Sequence, residues 1–519
     1  FKSVLVHASP SALCPKLWDM RMPKGEGVSK MAEIENKGKA TEQVSLFEKV
    51  PEDKKLGAGG IASILSGVVS SLTKLMGGGI VAFYAGCYAG LGAAAIMFVL
   101  SFVLTTLIGR ISFQEGLPSN VTSRLYVFGT KGSALNSIIW IFLFVGTLAI
   151  GTVQLGNAII YFFGIEGALG KNMLYVGISV VWVLMALFGM KVIAKLNTLF
   201  VALLFVALAV VTVQVAAGGH LVEALTHGVM VPDVTQLDGF AYAVNYSIMT
   251  SGLMALFSSD FTRFVRKASD VNMIALVGSF FAVLTYVFGA ILAYYGYDVS
   301  YQYFLAQGLD PSSASRAAIT NPGITFVLSL GMAGMIIICL SQLKVETSNS
   351  ISSSNAMSNL FNSLFGIELK WPVAVVLTNA VGLIFIFGNI LDKVNSFMSV
   401  GSILTMSWGF LLITDYYIVR GRMHIGSKGI VSLKYIPAVN WRGIVTIAVS
   451  AIVGCLVYFN GLVSVPVLVV APLTMGLHIL LSLLFKKQAL AKDSAMRNAE
   501  FADPELASAA LARQEHWGK

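Results

Sequence analysis

Apolar residues run in blocks of roughly 20 along most of the chain, with short polar gaps between them. Wound as a helix, a block of that length spans a bilayer core about 30 Å thick. Backbone groups in lipid must be satisfied within the protein, which leaves helices or closed barrels, and barrel strands would show ten-residue alternation that is absent here. The pattern predicts an all-α polytopic membrane protein with about 12 transmembrane helices. They fall at 58–83, 86–109, 135–163, 172–190, 196–217, 239–257, 272–296, 323–343, 371–391, 395–417, 442–459 and 463–485. Three regions follow. Residues 1–56 read as a polar cytoplasmic tail, with 1–30 as an extension ahead of the more usual start at Met31; 57–485 form the transmembrane domain; and 486–519, charged and Ala-rich, read as a cytoplasmic tail without chemistry. The segment 111–134 is too polar and too broken by Gly and Pro to span, and is expected to be interfacial or re-entrant.

Composition agrees with this reading. The chain is 56% hydrophobic and 12% charged, with mean hydropathy +0.78, too apolar for its surface to face water. A net charge of +9 would suit a nucleic-acid partner, but the Lys and Arg residues lie in the gaps between apolar blocks, which marks topology and makes the lipid bilayer the partner. Alternate gaps collect Arg110, Arg124, Lys131, Lys191, Lys195, Arg263, Arg266, Lys267, Lys370, Arg420, Arg422, Lys428, Lys434 and Arg442, while the others hold only Lys171, Arg316 and Lys393. The positive-inside rule then sets both termini in the cytoplasm, with the protein in the inner membrane. Cys14, Cys87, Cys339 and Cys455 form no CxxC pair, and His220, His227, His424 and His478 lack ligand spacing. No metal site, cofactor or enzymatic constellation is expected.

Three blocks depart from plain lipid-facing helices. In the first, GVVSSLTKLMGGGIVAFYAG places Lys74 near the middle, followed by Gly77, Gly78 and Gly79. Each glycine costs about 1 kcal/mol of helix propensity against Ala, so the helix is expected to open there and line a cavity; close packing of small residues is the alternative. A mid-membrane ammonium costs at least about 2.5–3.5 kcal/mol and calls for a cavity or a partner, unless Lys74 snorkels to the interface. In the sixth block Asn245, Ser247, Thr250, Ser251 and Gly252 cluster near the middle, as a second break or as ordinary interhelical hydrogen bonds. The eighth runs into Ser341, Gln342, Lys344, Glu346, Thr347, Ser348 and Asn349. That run either marks the cytoplasmic end or continues as helix beside the cavity, with Lys74 as the candidate partner of Glu346.

SSDFTRFVRKASD at 258–270, LLITDYYIVRGRMHI at 411–425 and YIPAVNWRGI at 435–444, in this order, resemble the nucleobase:cation symporter family in its cytosine-permease branch. The resemblance implies a five-plus-five inverted repeat, with broken spans 1 and 6 at the site, plus two additional helices. It also implies a substrate ring held between aromatic residues of spans 3 and 6. Aligning GTLAIGTVQ at 146–154 with span 3 brings Thr147 and Gly151 to the site, and Thr147 and Ser251 stand where the family's rings are usual. The resemblance further implies sodium held by span 1 carbonyls and a span 8 hydroxyl pair, yet Lys344, Val345 and Glu346 occupy that stretch. The expected function is secondary active import of a small, polar, nucleobase-like solute, with Na+ or H+ as coupling ion. Substrate contacts are expected at Gly77, Gly78, Gly79, Thr147, Gly151, Thr250, Ser251, Ser341 and Gln342, and ion coupling at Lys74, Lys344 and Glu346. A non-aromatic amine or amino acid as solute, or an uncoupled facilitator, are the alternatives.

Overall fold

The computed structural model describes residues 49–517 except 52 and 53, so the tail expected over 1–48 lies outside the described residues. Ten described helices are long and apolar enough to cross a membrane. In order they are span 2 (Cys87–Glu115), span 3 (Ser133–Phe163), span 4 (Ala168–Leu184), span 5 (Met190–Ala217), span 6 (Gln236–Thr262), span 7 (Ala268–Ala306), span 8 (Pro322–Phe365), span 10 (Val394–Ile413), span 11 (Trp441–Phe459) and span 12 (Val467–Leu484). Span 1 is a pair of helices, 1a (Ala58–Val69) and 1b (Leu72–Ala85), bent by 64°. Span 9 is the shorter apolar helix Trp371–Phe387, started by a proline in its first turn, where a missing N–H costs nothing.

The packing order supplies the architecture. Span 1 packs chiefly on span 7 and span 6 on span 2, while spans 3 and 8, 2 and 7, and 4 and 9 pack on each other. Exchanging spans 1–5 with 6–10 maps this set of pairs onto itself, as an inverted repeat requires. Spans 11 and 12 pair with one another, and span 12 lies against span 10.

Several expected breaks move. Helix 1b runs unbroken through Gly77, Gly78 and Gly79. A Cβ on Gly78 would lie 2.0 Å from the Tyr286 carbonyl oxygen, one on Gly77 2.6 Å from the Tyr246 ring, and one on Gly79 2.8 Å from the Ala293 methyl. These glycines therefore let spans 1b, 6 and 7 approach, which is the small-residue packing alternative. Span 6 is likewise one continuous helix, and Gly252 sits where a Cβ would meet Thr405 of span 10 at 2.5 Å. Span 8 continues as helix through its polar run for 44 residues, kinked at Gly331, whose φ of 55° a side chain would disfavour.

The connector after span 2 is sunk into the protein rather than lying in the interface. Residues 119–128 are all buried, and Arg124 donates to Asn359 at 2.8 Å and Asn362 at 3.2 Å. The C-terminal tail, expected to carry no chemistry, forms the helix Lys486–Ala502 docked on the connector between spans 10 and 11. Glu500 accepts the Val431 and Ser432 N–H groups at 3.0 and 3.1 Å, Asp493 accepts the Ser427 N–H, and Arg497 donates to the Ser427 hydroxyl. Just beyond it, hydrogen bonds from Lys434 and Tyr435 hold the Asp503 carboxyl below its usual range.

If the glycines of span 1b serve packing, Gly78→Ala should cost about 1–3 kcal/mol by overpacking, lowering the melting temperature of detergent-purified protein. Gly59→Ala in helix 1a, where an added Cβ meets nothing within 4 Å, should leave it unchanged or slightly raised. Equal melting temperatures for the two variants would contradict the packing role.

Candidate functional site

Span 1 opens at Ser70 and Ser71. Ser71 is extended (φ −140°, ψ 163°), and its hydroxyl caps helix 1b by accepting the Lys74 N–H at 3.3 Å. The polar groups freed by this break are met by span 8: Ser341 Oγ donates to the Ser70 carbonyl at 3.1 Å, and Gln342 Oε1 accepts the Leu72 N–H at 3.1 Å. One residue on, Thr73 Oγ1 donates to Gln154 Oε1 of span 3 at 3.3 Å, and the Tyr246 hydroxyl of span 6 donates to the Thr73 carbonyl at 3.1 Å. Four helices thus converge on one unwound turn and bury it in protein, a setting in which irregular backbone is tolerated at bilayer depth.

Glu346 stands one helical turn beyond Gln342 and is 0% exposed. Its carboxyl accepts Gln342 Nε2 at 3.1 Å and Asn349 Nδ2 at 3.0 Å. Space for it comes from Gly151, where a Cβ would lie 1.9 Å from Glu346 Oε1. Among the described residues Glu346 makes no ion pair with Lys74, so the expected partnership is replaced by the two amides. Lys344, 2% exposed, has an ammonium nitrogen without a hydrogen-bond partner among the described residues.

Beside the break lies a small cavity of about 50 Å³, enough for a few water molecules. Span 1 lines it with Leu65, Val69, Ser71, Thr73 and Lys74, span 3 with Phe144 and Thr147, span 6 with Leu253, Met254 and Phe257, and span 8 with Val345 and Asn349. Of the expected site residues, Lys74 and Thr147 face this cavity, and Gly151, Ser341, Gln342 and Glu346 surround the break. Gly77, Gly78 and Gly79 are spent on packing. Thr250 shares a hydrogen bond with the Tyr286 hydroxyl at 2.8 Å, and Ser251 is bonded to Met97 O and Ser101 of span 2, so both turn away from the cavity.

Aromatic faces, expected to be missing, come from neighbouring turns. Phe144, three residues before Thr147 and on the same helix face, and Phe257 lie 6.2 Å apart between centroids, inclined at 51°. Two carbon contacts of about 3.5 Å put a sandwiched ring between parallel faces about 7 Å apart, so these two inclined rings must both turn and separate to admit one. Asn349 belongs to the polar run already named on span 8 and Phe144 was legible as the i−3 neighbour of Thr147, whereas nothing in the sequence set Phe257 apart from other span 6 apolar residues.

Residues 51–480 match the family of permeases for cytosine/purines, uracil, thiamine and allantoin. The chain belongs to this family. No curated protein matches it individually. Among solved structures, this permease is similar to Mhp1, a nucleobase-cation-symport-1 family transporter, in a closed conformation with bromovinylhydantoin bound: 16% identity, 86% of this chain and 100% of that chain covered, TM-score 0.59. The inward-facing conformation of Mhp1 matches at 16% identity, with 85% and 94% covered and TM-score 0.62. A Na+-coupled sialic acid symporter in its substrate-bound outward-open state matches at 14%, with 88% and 95% covered and TM-score 0.53. The permease is thus a multi-pass transporter, not an enzyme, and it moves a small-molecule solute through a membrane-embedded helical fold.

In this permease a layer of amides closes the cavity on the face opposite the termini. Gln154 Nε2 donates to the Thr320 carbonyl at 2.9 Å, and Asn157 Nδ2 donates to Asn321 Oδ1 at 2.8 Å. Beyond that layer a second cavity is lined by Asn157, Lys171, Arg316, Thr320, Asn321 and Asp392, among others.

Gly151→Ala tests whether the Glu346 seat matters for transport. The added methyl should displace the carboxyl and reduce solute uptake at least tenfold, while size-exclusion chromatography still shows monodisperse protein. Uptake at the wild-type rate would show that the seat is not required.

Proposed function

We propose that this permease is a secondary active importer of a small, polar, ring-containing solute, driven by protons rather than sodium through alternating access. The observation that carries the reading is Glu346, a fully buried carboxyl with amide donors and no cation among the described residues, beside the unwound turn of span 1. Leaving such a group charged and unpaired costs several kcal/mol, which proton uptake relieves. By resemblance the family binds sodium at this break with two span 8 hydroxyls, and here Lys344, Val345 and Glu346 take that stretch. Of the three ionisable groups, we assign coupling to Glu346 with Lys344 and assign Lys74 to the solute cavity it lines. Phe144 and Phe257 favour a ring-shaped solute over an aliphatic amine or amino acid.

We further propose that the protein sits in the inner membrane with both termini cytoplasmic. Supporting this, residues 50 and 56 hydrogen-bond to Gly116 and Phe264, and Lys49 to Ile430, so the N-terminal segment shares a face with the Lys- and Arg-rich connectors and the C-terminal helix. A cysteine introduced at 228 should react with an impermeant maleimide from outside and one at 264 should not; the reverse pattern would overturn the orientation.

The coupling is tested in proteoliposomes with sodium replaced by potassium and an imposed inward proton gradient. Uracil or cytosine should accumulate without sodium, and Glu346→Gln should cut gradient-driven accumulation at least tenfold while solute exchange at equal pH persists. Strict sodium dependence without response to the pH gradient would refute proton coupling.

A further inference from the structure

We propose that the transported solute bears an acidic group and that Lys74 is its counter-ion. This rests on the reading of the cavity between spans 1, 3, 6 and 8 as the solute site. Lys74 lines that cavity, and its side chain makes no hydrogen bond or ion pair with any described residue, while its own backbone N–H is capped by Ser71. None of the described residues lining the cavity is acidic. The nearby carboxyl, Glu346, is turned to Gln342 and Asn349, with Asn349 between it and the cavity.

The placement of Lys74 in the first turn of helix 1b sharpens the point. A helix N-terminus carries partial positive charge and disfavours a cation beside it. The Leu72 and Lys74 N–H groups are already met by Gln342 and Ser71, which leaves the ammonium as the charge that an anion in the cavity would answer. A neutral nucleobase leaves it unmet.

A second observation is independent of Lys74. The face opposite the termini is poor in cations, yet Lys171 and Arg316 both line the outer cavity, against one acid, Asp392. Among the described residues neither cation is ion-paired: Lys171 donates to the Gln307 amide oxygen at 2.8 Å, and Arg316 donates to the Ser312 and Ser313 hydroxyls. Their charge remains available to attract an anion towards the amide layer of Gln154 and Thr320, beyond which Thr73 and Lys74 lie. The solute class that fits is a small planar ring carrying a carboxylate, its ring against Phe144 and Phe257 and its carboxylate on Lys74.

The test compares pairs that share a ring and differ by charge: orotate with uracil, and nicotinate with nicotinamide, each measured by equilibrium binding of the radiolabelled compound to purified protein. In the wild type the carboxylate of at least one pair should bind at least tenfold more tightly than its neutral counterpart. Lys74→Met should abolish that preference by weakening the carboxylate at least tenfold while changing the neutral ring less than threefold, and Lys74→Arg should keep it. Equal or tighter binding of the neutral member in both pairs overturns the inference and leaves the transporter reading standing. Binding of none of the four compounds removes the reading of the cavity and the inference with it. The wild-type comparison needs no variant, so misfolding of Lys74→Met does not spare the proposal.

Discussion

Everything at the centre of this permease depends on one unwound turn. Ser70 and Ser71 leave polar backbone groups unpaired at bilayer depth, where neither lipid nor bulk water can satisfy them. Ser341 and Gln342 supply the missing partners, and they do so only because span 8 remains helical through its polar run. That requirement fixes the register of span 8 against span 1. It places Glu346 one turn further along, where the absent side chain of Gly151 makes room for it. Asn349 follows, reaching both the carboxyl and the cavity. The break, the buried carboxyl and the cavity are consequences of a single hydrogen-bonding constraint.

The apolar spans, the polar face of span 8 and the placing of Lys74 beside a cavity were legible because each rests on a one-dimensional signal: apolar block length, or a charge too costly to leave in lipid. The location of the break was not. Three glycines in a row suggested an opening, yet glycine also permits backbone contact, and the Tyr286 carbonyl packed against Gly78 decides for contact. The two serines that do open the helix carry only modest helix-breaking character by propensity. Their conformation is set by Ser341 and Gln342, about 270 residues away in sequence. Likewise Thr250 and Ser251 seemed site-like by polarity alone, but which way each side chain points depends on the rotation of span 6. Tyr286 and Ser101 claim them.

The two faces of the molecule are closed by different chemistry. On the face of the termini, Arg420 binds Asp415 at 2.7 Å, His478 shares a hydrogen bond with the same carboxyl at 2.9 Å, and Asp493 and Glu500 of the C-terminal helix tie down the adjoining connector. Breaking a buried ion pair leaves an uncompensated charge and costs about 3–5 kcal/mol. On the opposite face the layer over the cavity is built from amides and carbonyls of Gln154, Asn157, Thr320 and Asn321. Neutral hydrogen bonds contribute about 0.5–1.5 kcal/mol each, and water entering the gap replaces them.

Such a difference bears on how the two halves of a transport cycle are driven. A layer of neutral amides separates at lower cost than a buried ion pair once a solute or water can take over its hydrogen bonds. The Asp415–Arg420–His478 cluster is too costly to part in each cycle, which makes it a fixed anchor for spans 10 and 12. Movement on that face must then come from helices outside the anchor, and span 1a meets the condition: it lies outside the cluster and is joined to helix 1b at a 64° bend. The Ser341 and Gln342 hydrogen bonds lie at that bend and pass directly to Glu346. A change in the charge of Glu346 therefore reaches the bend through one side chain, Gln342, which is the shortest route by which proton binding and helix movement can be linked.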